Sequence, residues 1–212
     1  MMIIDLSQPV ENGMTYYPGD PEPRIAAANS EPPWQVSELH LGTHTGTHID
    51  AATHFIPGGA TIDSYPLERF MLPGVVVPVV GMGGDEAIPW RALSPYVSSL
   101  PSGAALVLHT GWDRYWGTER YLEHPFLAEA AARELVSAGI GLVATDALNV
   151  DSTPREASLV HEILLGADIL IVENLRGLDQ LTPGETYTFS FLPLRLKGLD
   201  GSPIRAVAWL ER

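Results

Sequence analysis

Short apolar runs rich in β-branched residues recur along the chain at strand length. Each run is bounded by Gly, Pro or Asp, which interrupt regular structure, and this pattern is typical of strands buried on both faces. The runs predict buried strands over residues 75–80, 105–109, 141–145, 168–172 and 205–210.

Two segments between these runs place apolar residues at helical spacing. Residues 126–138 predict one helix, because Gly139 is a natural helix end. Residues 154–166 predict a second helix, since Pro154 suits a first helical turn. Strands that alternate with helices indicate the α/β class. The Pro-rich residues 18–33 are expected to be irregular, with a loop that faces a substrate.

Length and charge narrow the possible partners. The 212 residues contain no repeat, low-complexity tract or linker, so a single domain over residues 1–212 is expected. Lys and Arg number 12 against 26 Asp and Glu, a formal charge of −14 that disfavours nucleic acid and membranes and leaves a small-molecule substrate. Residues 1–10 lack the basic and apolar regions of a signal peptide, so a cytoplasmic location is expected.

The histidines carry the strongest chemical signal. The sequence has no Cys, so a metal site would need His and carboxylate ligands. Four of the seven histidines fall within residues 40–54, together with Asp50. They are His40, His44, His48 and His54. Burying several imidazoles side by side costs desolvation and mutual repulsion, which a bound divalent ion offsets. His40 lies outside the densest spacing and is read as an ordinary surface or core histidine.

The local composition predicts how this segment is folded. Its Thr, Ile and Gly residues favour an extended backbone, which sends all the even-numbered His and Asp side chains to one face. On a straight strand the Cα atoms of His44 and His48 would lie about 13 Å apart, near the limit for two ligands of one ion. We therefore expect a bend or bulge near Gly46.

The string from His44 to His54, HTGTHIDAATH, resembles the HxGTHxDxPxH signature of the metal-dependent cyclase-like hydrolases. This family includes bacterial kynurenine formamidase (arylformamidase) and isatin hydrolase. Ala52 stands where the family usually has Pro, a change that removes no ligand. Similar segments extend over nearly the whole chain. They are residues 5–9, 17–20, 161, 172–175, 193–194 and 203–207.

The resemblance implies a swivelling β/β/α fold, a homodimer or homotetramer, and two divalent metal ions, zinc foremost and manganese as the alternative. By position, His44 and His48 would bind the first ion, Asp50 and Glu173 would bridge both, and His161 would complete the second. Independently of the resemblance, Glu173 follows an apolar run at the carboxyl end of a predicted strand, where α/β proteins often place functional groups.

The resemblance also implies a reaction. A divalent ion can lower the pKa of a bound water from 15.7 to about 7, which gives hydroxide at neutral pH. His54 would be the proton donor and acceptor, and Tyr17 would contact the substrate, with Tyr16, Trp34, Phe55 and Trp112 as weaker aromatic candidates. The expected substrate is an N-formyl aryl amine such as N-formyl-kynurenine. Two alternatives stay open, a hydrolase of cyclic amides or lactones and a metal-binding protein without catalysis.

Overall fold

The computed structural model describes residues 2–28 and 31–210, and these form thirteen strands, three α-helices and six short 3-10 helices. The strands are β1 (Ile3–Asp5), β2 (Arg24–Ala27), β3 (Ser37–His40), β4 (His48–Asp50), β5 (Met71–Pro78), β6 (Ala87–Ile88), β7 (Ala105–His109), β8 (Phe126–Leu127), β9 (Leu142–Thr145), β10 (Leu170–Glu173), β11 (Thr186–Ser190), β12 (Gly201–Pro203) and β13 (Val207–Trp209). The α-helices are α1 (Trp90–Val97), α2 (Glu129–Ser137) and α3 (Leu159–Gly166). The 3-10 helices are Ala52–His54, Ile62–Ser64, Leu67–Arg69, Trp112–Tyr115, Glu119–Glu123 and Leu178–Gln180.

Nine of the strands form one mixed, curled sheet in the order β1-β13-β11-β5-β7-β9-β10-β4-β12. The central strands β5, β7, β9 and β10 are parallel, while β4, β12, β11, β13 and β1 pair antiparallel with their neighbours. Two small sheets, β2 with β3 and β6 with β8, stand beside it. This combination of strands and helices confirms the predicted α/β class.

Both faces of the central sheet are buried, and alternate residues supply a core on each side. On β7, Ala105 and Val107 join the core within the curl of the sheet, whereas Leu106 and Leu108 join the core beneath the helices. Since successive side chains of a strand point to opposite faces, strands buried on both faces have continuous apolar runs. This double burial explains why the runs were visible in the sequence.

The predicted strands are present, with shifted ends. Residues 105–109 match β7, and β9 begins one residue later than predicted. The run at 75–80 belongs to β5, which begins at Met71 because it pairs antiparallel with β11 along Met71 to Val75. Asp168 has a φ of 60° and forms the turn before β10, so that strand begins two residues later than predicted. The run at 205–210 contributes only the three residues of β13.

Both predicted helices begin too early, and each has a physical reason. The residues Phe126–Leu127 form β8 instead of a helical turn, because they pair with β6. Helix α3 begins at Leu159 and not at 154, because Glu156 has a φ of 49° and ends any helical path there. The Pro-rich residues 18–33 are also less irregular than expected, since β2 lies within them. Asn29 and Ser30 of that range lie outside the described residues.

Within the described residues, no helix combines the length and the apolar character that a membrane span requires.

Candidate active site

Strands β4 and β10 bring the candidate ligands together. They pair antiparallel, so that Glu173 lies directly across from His48. His48 and Asp50 are two residues apart on β4 and therefore point to the same face. The segment before β4 turns at Gly46, whose φ of 63° confirms the predicted bend. The extended backbone is shorter than predicted, because only His48–Asp50 is a strand and His54 ends a 3-10 helix.

Four buried side chains form a closed ring of donor atoms. The Nε2 atom of His48 lies 3.4 Å from Asp50 Oδ1 and 3.5 Å from Glu173 Oε2. The Nε2 atom of His161 lies 3.6 Å from Asp50 Oδ2 and 3.5 Å from Glu173 Oε1. Each carboxylate therefore faces both imidazoles, and each imidazole faces both carboxylates. We call His48, Asp50, His161 and Glu173 the donor ring.

One oxygen of the donor ring is unsatisfied. Asp50 is completely buried, and its Oδ2 atom has no hydrogen-bond partner among the described residues. A buried carboxylate oxygen without a partner costs roughly 1–3 kcal/mol or more, so such an atom requires an explanation. Imidazole nitrogens and carboxylate oxygens are the ligands that Zn²⁺ accepts in proteins without Cys. The chemistry of the donor ring thus fits a divalent cation.

The remaining ring nitrogens have partners that fix the orientation of both imidazoles. His48 Nδ1 donates to the carbonyl oxygen of Gly46 over 2.8 Å, and His161 Nδ1 donates to Asp151 Oδ2 over 2.9 Å. These bonds direct the Nε2 lone pairs into the donor ring, as is usual for metal-binding histidines. Asp151 also accepts the backbone N–H groups of Val160 and His161, so the first turn of α3 holds the same carboxylate.

His44 lies beside the donor ring between two carboxylates. Its Nδ1 atom is 2.8 Å from Asp50 Oδ1 and its Nε2 atom is 2.9 Å from Asp200 Oδ2. Burial opposes protonation of His44, but the charge of Asp50 and the hydrogen bond with Asp200 outweigh it and raise its pKa to about 10. The donor atoms of His44, His48 and Asp50 lie close enough together to hold one ion.

The charges of the donor ring favour positive ions. Burial likewise opposes protonation of His161, yet the carboxylates of Asp151, Asp50 and Glu173 raise its pKa to about 10. Burial opposes ionisation of Asp50, but the neighbouring His48 and His44 hold its pKa well below the usual range. A centre that binds protons this strongly has the negative potential that attracts a metal cation.

His54 stands next to the donor ring in a different environment. Its ring centroid is 4.0 Å from that of His44 and 5.9 Å from that of His161, and its Nδ1 atom is 3.4 Å from Asp200 Oδ2. Burial lowers the pKa of His54, with the charge of Asp50 acting in the opposite direction. His54 is therefore a neutral imidazole at neutral pH, which suits a group that accepts a proton.

Asp200 is the functional candidate that sequence reasoning missed. It precedes Gly201, which pairs with Asp50 across β4 and β12. A Cβ atom at Gly201 would lie 2.8 Å from the carbonyl oxygen of Ile49 and 3.0 Å from His44 Cε1, so only glycine allows this approach. The signal available in the sequence was the Asp-Gly pair, but nothing in its spacing connects it with residues 44–54.

A cavity of about 260 Å³ opens beside the donor ring and has aromatic walls. His48, His161 and Glu173 line it, and so does His54. Of the five aromatic candidates, Tyr16, Tyr17 and Phe55 line the cavity. Trp112 is buried in a separate apolar cluster, against which Tyr17 packs. Trp34 is 70% exposed and is not among the lining residues.

Three further positions that the sequence analysis named, His40, Trp112 and Ala52, lie outside the donor ring. His40 lies at the exposed end of β3 and takes no part in the donor ring. The segment 112–121 forms two 3-10 helices whose buried Trp112 and Tyr121 support Tyr17 from behind. Ala52 is buried at the first position of the 3-10 helix that ends with His54, so the residue in place of the family's Pro lies in regular structure.

Comparison with known proteins identifies the family. The family model named Cyclase matches residues 4–152. A kynurenine formamidase from Paracidovorax citrulli is 30% identical over 97% of this chain and 95% of its own length.

Solved structures share the fold. Isatin hydrolase A from Labrenzia aggregata superimposes with a TM-score of 0.86 at 24% identity, covering 98% of this chain and 93% of its own. A structure described as a potential metal-dependent hydrolase with cyclase activity gives a TM-score of 0.82 at 28% identity, covering 98% and 96%. These superpositions confirm the fold that the motif implied. The family match and the near-complete alignment with a formamidase show that the chain is a hydrolase and belongs to the Cyclase family.

Proposed function

We propose that this chain is a divalent-metal-dependent hydrolase of N-formyl aryl amines, such as N-formyl-kynurenine, which releases formate and an aryl amine. The observation that carries the proposal is the donor ring, with its unpartnered buried oxygen at Asp50 and its position beside an aromatic cavity. The full-length similarity to a kynurenine formamidase supports the same substrate class.

The metal would be held by the residues that the sequence motif indicated. His44 and His48 would bind a first ion, His161 a second, and Asp50 and Glu173 would bridge the two. The ring geometry supports the bridging roles, because each of these carboxylates faces an imidazole with each of its oxygens. Bound divalent ions supply Lewis acidity, which polarises a formyl oxygen and acidifies water. Zinc suits this donor set, and manganese is the alternative.

His54 would carry the proton between water and the leaving amine. It lines the cavity, and its Nδ1 faces Asp200, which leaves Nε2 to exchange the proton with the reacting groups. The departing aryl amine must gain a proton, because an amide anion is a poor leaving group. Asp200 would act as a positioning residue that holds His54 and His44 in place.

The aromatic walls would orient the aryl ring. Tyr17 is half-buried and packs against the cluster of Trp112, Tyr121 and Leu148, so its ring is fixed before a substrate arrives. A planar aryl group stacked on such a ring gains apolar contact at little entropic cost. Tyr16 and Phe55 would complete the walls.

The test is formate release from N-formyl-kynurenine by zinc-loaded protein, with a matched pair of variants. His54→Ala should lower kcat by about 10²–10⁴, the usual contribution of a positioned acid or base, while metal content stays unchanged. His40→Ala removes an exposed histidine from outside the cavity and should leave kcat unchanged. Loss of the metal in His54→Ala would make His54 a ligand, and undiminished turnover would remove it from the reaction.

A second candidate is hydrolysis of a cyclic amide, which uses the same donor ring. The fold shared with isatin hydrolases favours it. Opening of isatin without formate release from any N-formyl aryl amine would replace the first proposal by this one.

We also propose that the chain forms a homodimer or homotetramer. Among the described residues, β2 and β3 pair only with each other, and they leave Val36 and Leu39 exposed on a thin hairpin. Exposed apolar side chains that lie close together on a surface are typical of subunit contacts. Light scattering on the purified protein measures the mass directly, and a monomer at micromolar concentration would contradict this proposal.

A further inference from the structure

Beyond the donor ring and the histidines beside it, the cavity lining carries acidic side chains. Asp20 and Glu156 line it, and none of its lining residues is Lys or Arg within the part of the chain that the structure describes. Asp20 is partly exposed and Glu156 is exposed. A ligand in the cavity therefore shares it with two acidic side chains outside the donor ring.

The arginine adjacent to Glu156 does not compensate for its charge. Arg155 Nε donates to Asp85 Oδ2 over 2.7 Å, and its guanidinium group lies 5.0 Å from the centre of the Phe126 ring. Its charge is thus paired outside the cavity. Glu156 itself is held at the rim by a turn in which its N–H donates to the carbonyl oxygen of Thr153 over 3.1 Å.

The negative field reaches the aromatic wall. Burial raises the pKa of the Tyr17 phenol, and the charges of Glu156, Glu173 and Asp20 raise it further. A cation placed against Tyr17 would be attracted by these carboxylates and by the face of the aromatic ring. A carboxylate in the same place would be desolvated beside like charges, and no Lys or Arg among the described lining residues would pair with it.

We propose that the cavity selects N-formyl aryl amines whose side chain ends in an ammonium group and carries no carboxylate. The inference rests on the proposed function and names its substrate class. Asp20 and Glu156 are the specificity-determining residues, and the ammonium group lies between them and Tyr17 while the formyl group faces the donor ring. The same charges that attract a cationic side chain weaken the binding of one that also carries a carboxylate.

The experiment compares three substrates that share the same formanilide chemistry. N-formyl-kynurenine carries an ammonium and a carboxylate group, its decarboxylated analogue keeps only the ammonium group, and formanilide is neutral. Formate release should give a kcat/KM for the decarboxylated analogue at least about tenfold above that for N-formyl-kynurenine, with most of the difference in KM. The preference should decrease as salt increases, because the rim is exposed to solvent.

Isosteric variants assign the preference to the two carboxylates. Glu156→Gln and Asp20→Asn should each reduce the ratio of the two kcat/KM values by about threefold or more. Glu134→Gln removes the same charge from the exposed face of α2, outside the cavity lining, and should leave the ratio unchanged. This control separates the effect of Asp20 and Glu156 from the general electrostatic field of a chain with a formal charge of −14.

The outcomes distinguish a failure of the ammonium preference from a failure of the proposed hydrolase function. Formate release with an equal or higher kcat/KM for N-formyl-kynurenine would overturn the selection for ammonium and leave the hydrolase proposal standing. An unchanged ratio in both rim variants would also overturn it. No formate from any of the three substrates, formanilide included, would instead overturn the proposed function.

Discussion

Replacing Asp200 by Asn tests whether one carboxylate organises both functional histidines beside the donor ring. The Asp200 side chain has an oxygen 2.9 Å from His44 Nε2 and 3.4 Å from His54 Nδ1. Asn keeps the size of the side chain but removes the charge and replaces one carboxylate oxygen by an amide NH2 group, which donates instead of accepting. We expect the substitution to leave the fold intact, because the side chain is 36% exposed at the edge of the site.

The size of the effect follows from these contacts. A hydrogen bond to a charged group contributes about 1.5–3 kcal/mol, and partial exposure of Asp200 places this one near the lower end. Roughly 1.4 kcal/mol is a tenfold change, which agrees with the 10- to 100-fold losses that follow removal of carboxylates behind metal-binding histidines. Zinc affinity should therefore fall about tenfold, and kcat at saturating zinc should fall by a similar factor through His54.

The assay has two independent readouts and a control. Chelator competition on metal-free protein measures zinc affinity, and formate release at saturating zinc measures kcat. Asp179→Asn removes a carboxylate from an exposed 3-10 helix outside the cavity and should change neither. If the zinc affinity and the kcat of Asp200→Asn both equal those of the parent, Asp200 positions neither His44 nor His54. A drop in thermal stability of the metal-free variant without a change in either readout would make its role structural only.

Further predictions concern the metal, the close approach of two strands and the ion pair between Arg155 and Asp85. Protein purified without chelator should contain about two divalent ions per chain, and Asp50→Ala should lose metal and activity together because it removes a bridge. Elemental analysis measures the metal content of both proteins, and formate release measures their activity. Full metal content in the variant would contradict the bridging role. Gly201→Ala should destabilise the protein and disturb the site, because a methyl group would lie 2.8 Å from the β4 backbone. Chemical denaturation with and without zinc reports both effects. A free energy of unfolding equal to that of the parent under both conditions would refute the argument. Burial opposes ionisation of Asp85, but hydrogen bonds including that from Arg155 lower its pKa below 3.8. A carboxyl group whose pKa is lower in the folded protein stabilises the fold fully above pH 3.8, and this stabilisation is lost as the pH falls through the folded-state pKa. Arg155→Gln should therefore lower the free energy of unfolding by about 0.5 kcal/mol at pH 7 and by progressively less in acid. A loss that is the same at pH 7 and pH 3 would show that the ion pair is not its source.

The sequence predicted those elements that depend on residues close together in the chain. The strands were visible because they are buried on both faces, and the bend at Gly46 followed from the reach of two imidazoles. The parity argument for residues 40–54 grouped His44, His48 and His54, which do lie together, but its premise was partly wrong. It assumed one extended strand, whereas only His48–Asp50 is extended and a 3-10 helix turns His54 back toward His44.

What escaped prediction depends on contacts between distant parts of the chain. Asp200 approaches His44 only because β12 pairs with β4, and no local pattern encodes that pairing. Helix α3 begins late because Asp151 binds the N–H groups of Val160 and His161, and the same carboxylate orients the His161 ring. Pro154 was a reasonable local signal, but the tertiary role of Asp151 decided where the helix starts.

The position of β4 between β10 and β12 has a consequence for how the protein matures. In the register of the sheet, Asp50 pairs with Ile171 on one side and Gly201 on the other, so both neighbours lie more than a hundred residues further along the chain. At typical synthesis rates of about 5–20 residues per second, roughly 8–30 s separate the appearance of Asp50 from that of its second neighbour. For most of that interval His48 and Asp50 belong to a nascent chain that still lacks Glu173 to complete the donor ring. The donor ring can therefore close only late in translation, and a chain that stops short of β12 lacks both the second partner strand of β4 and the Asp200 that contacts His44 and His54.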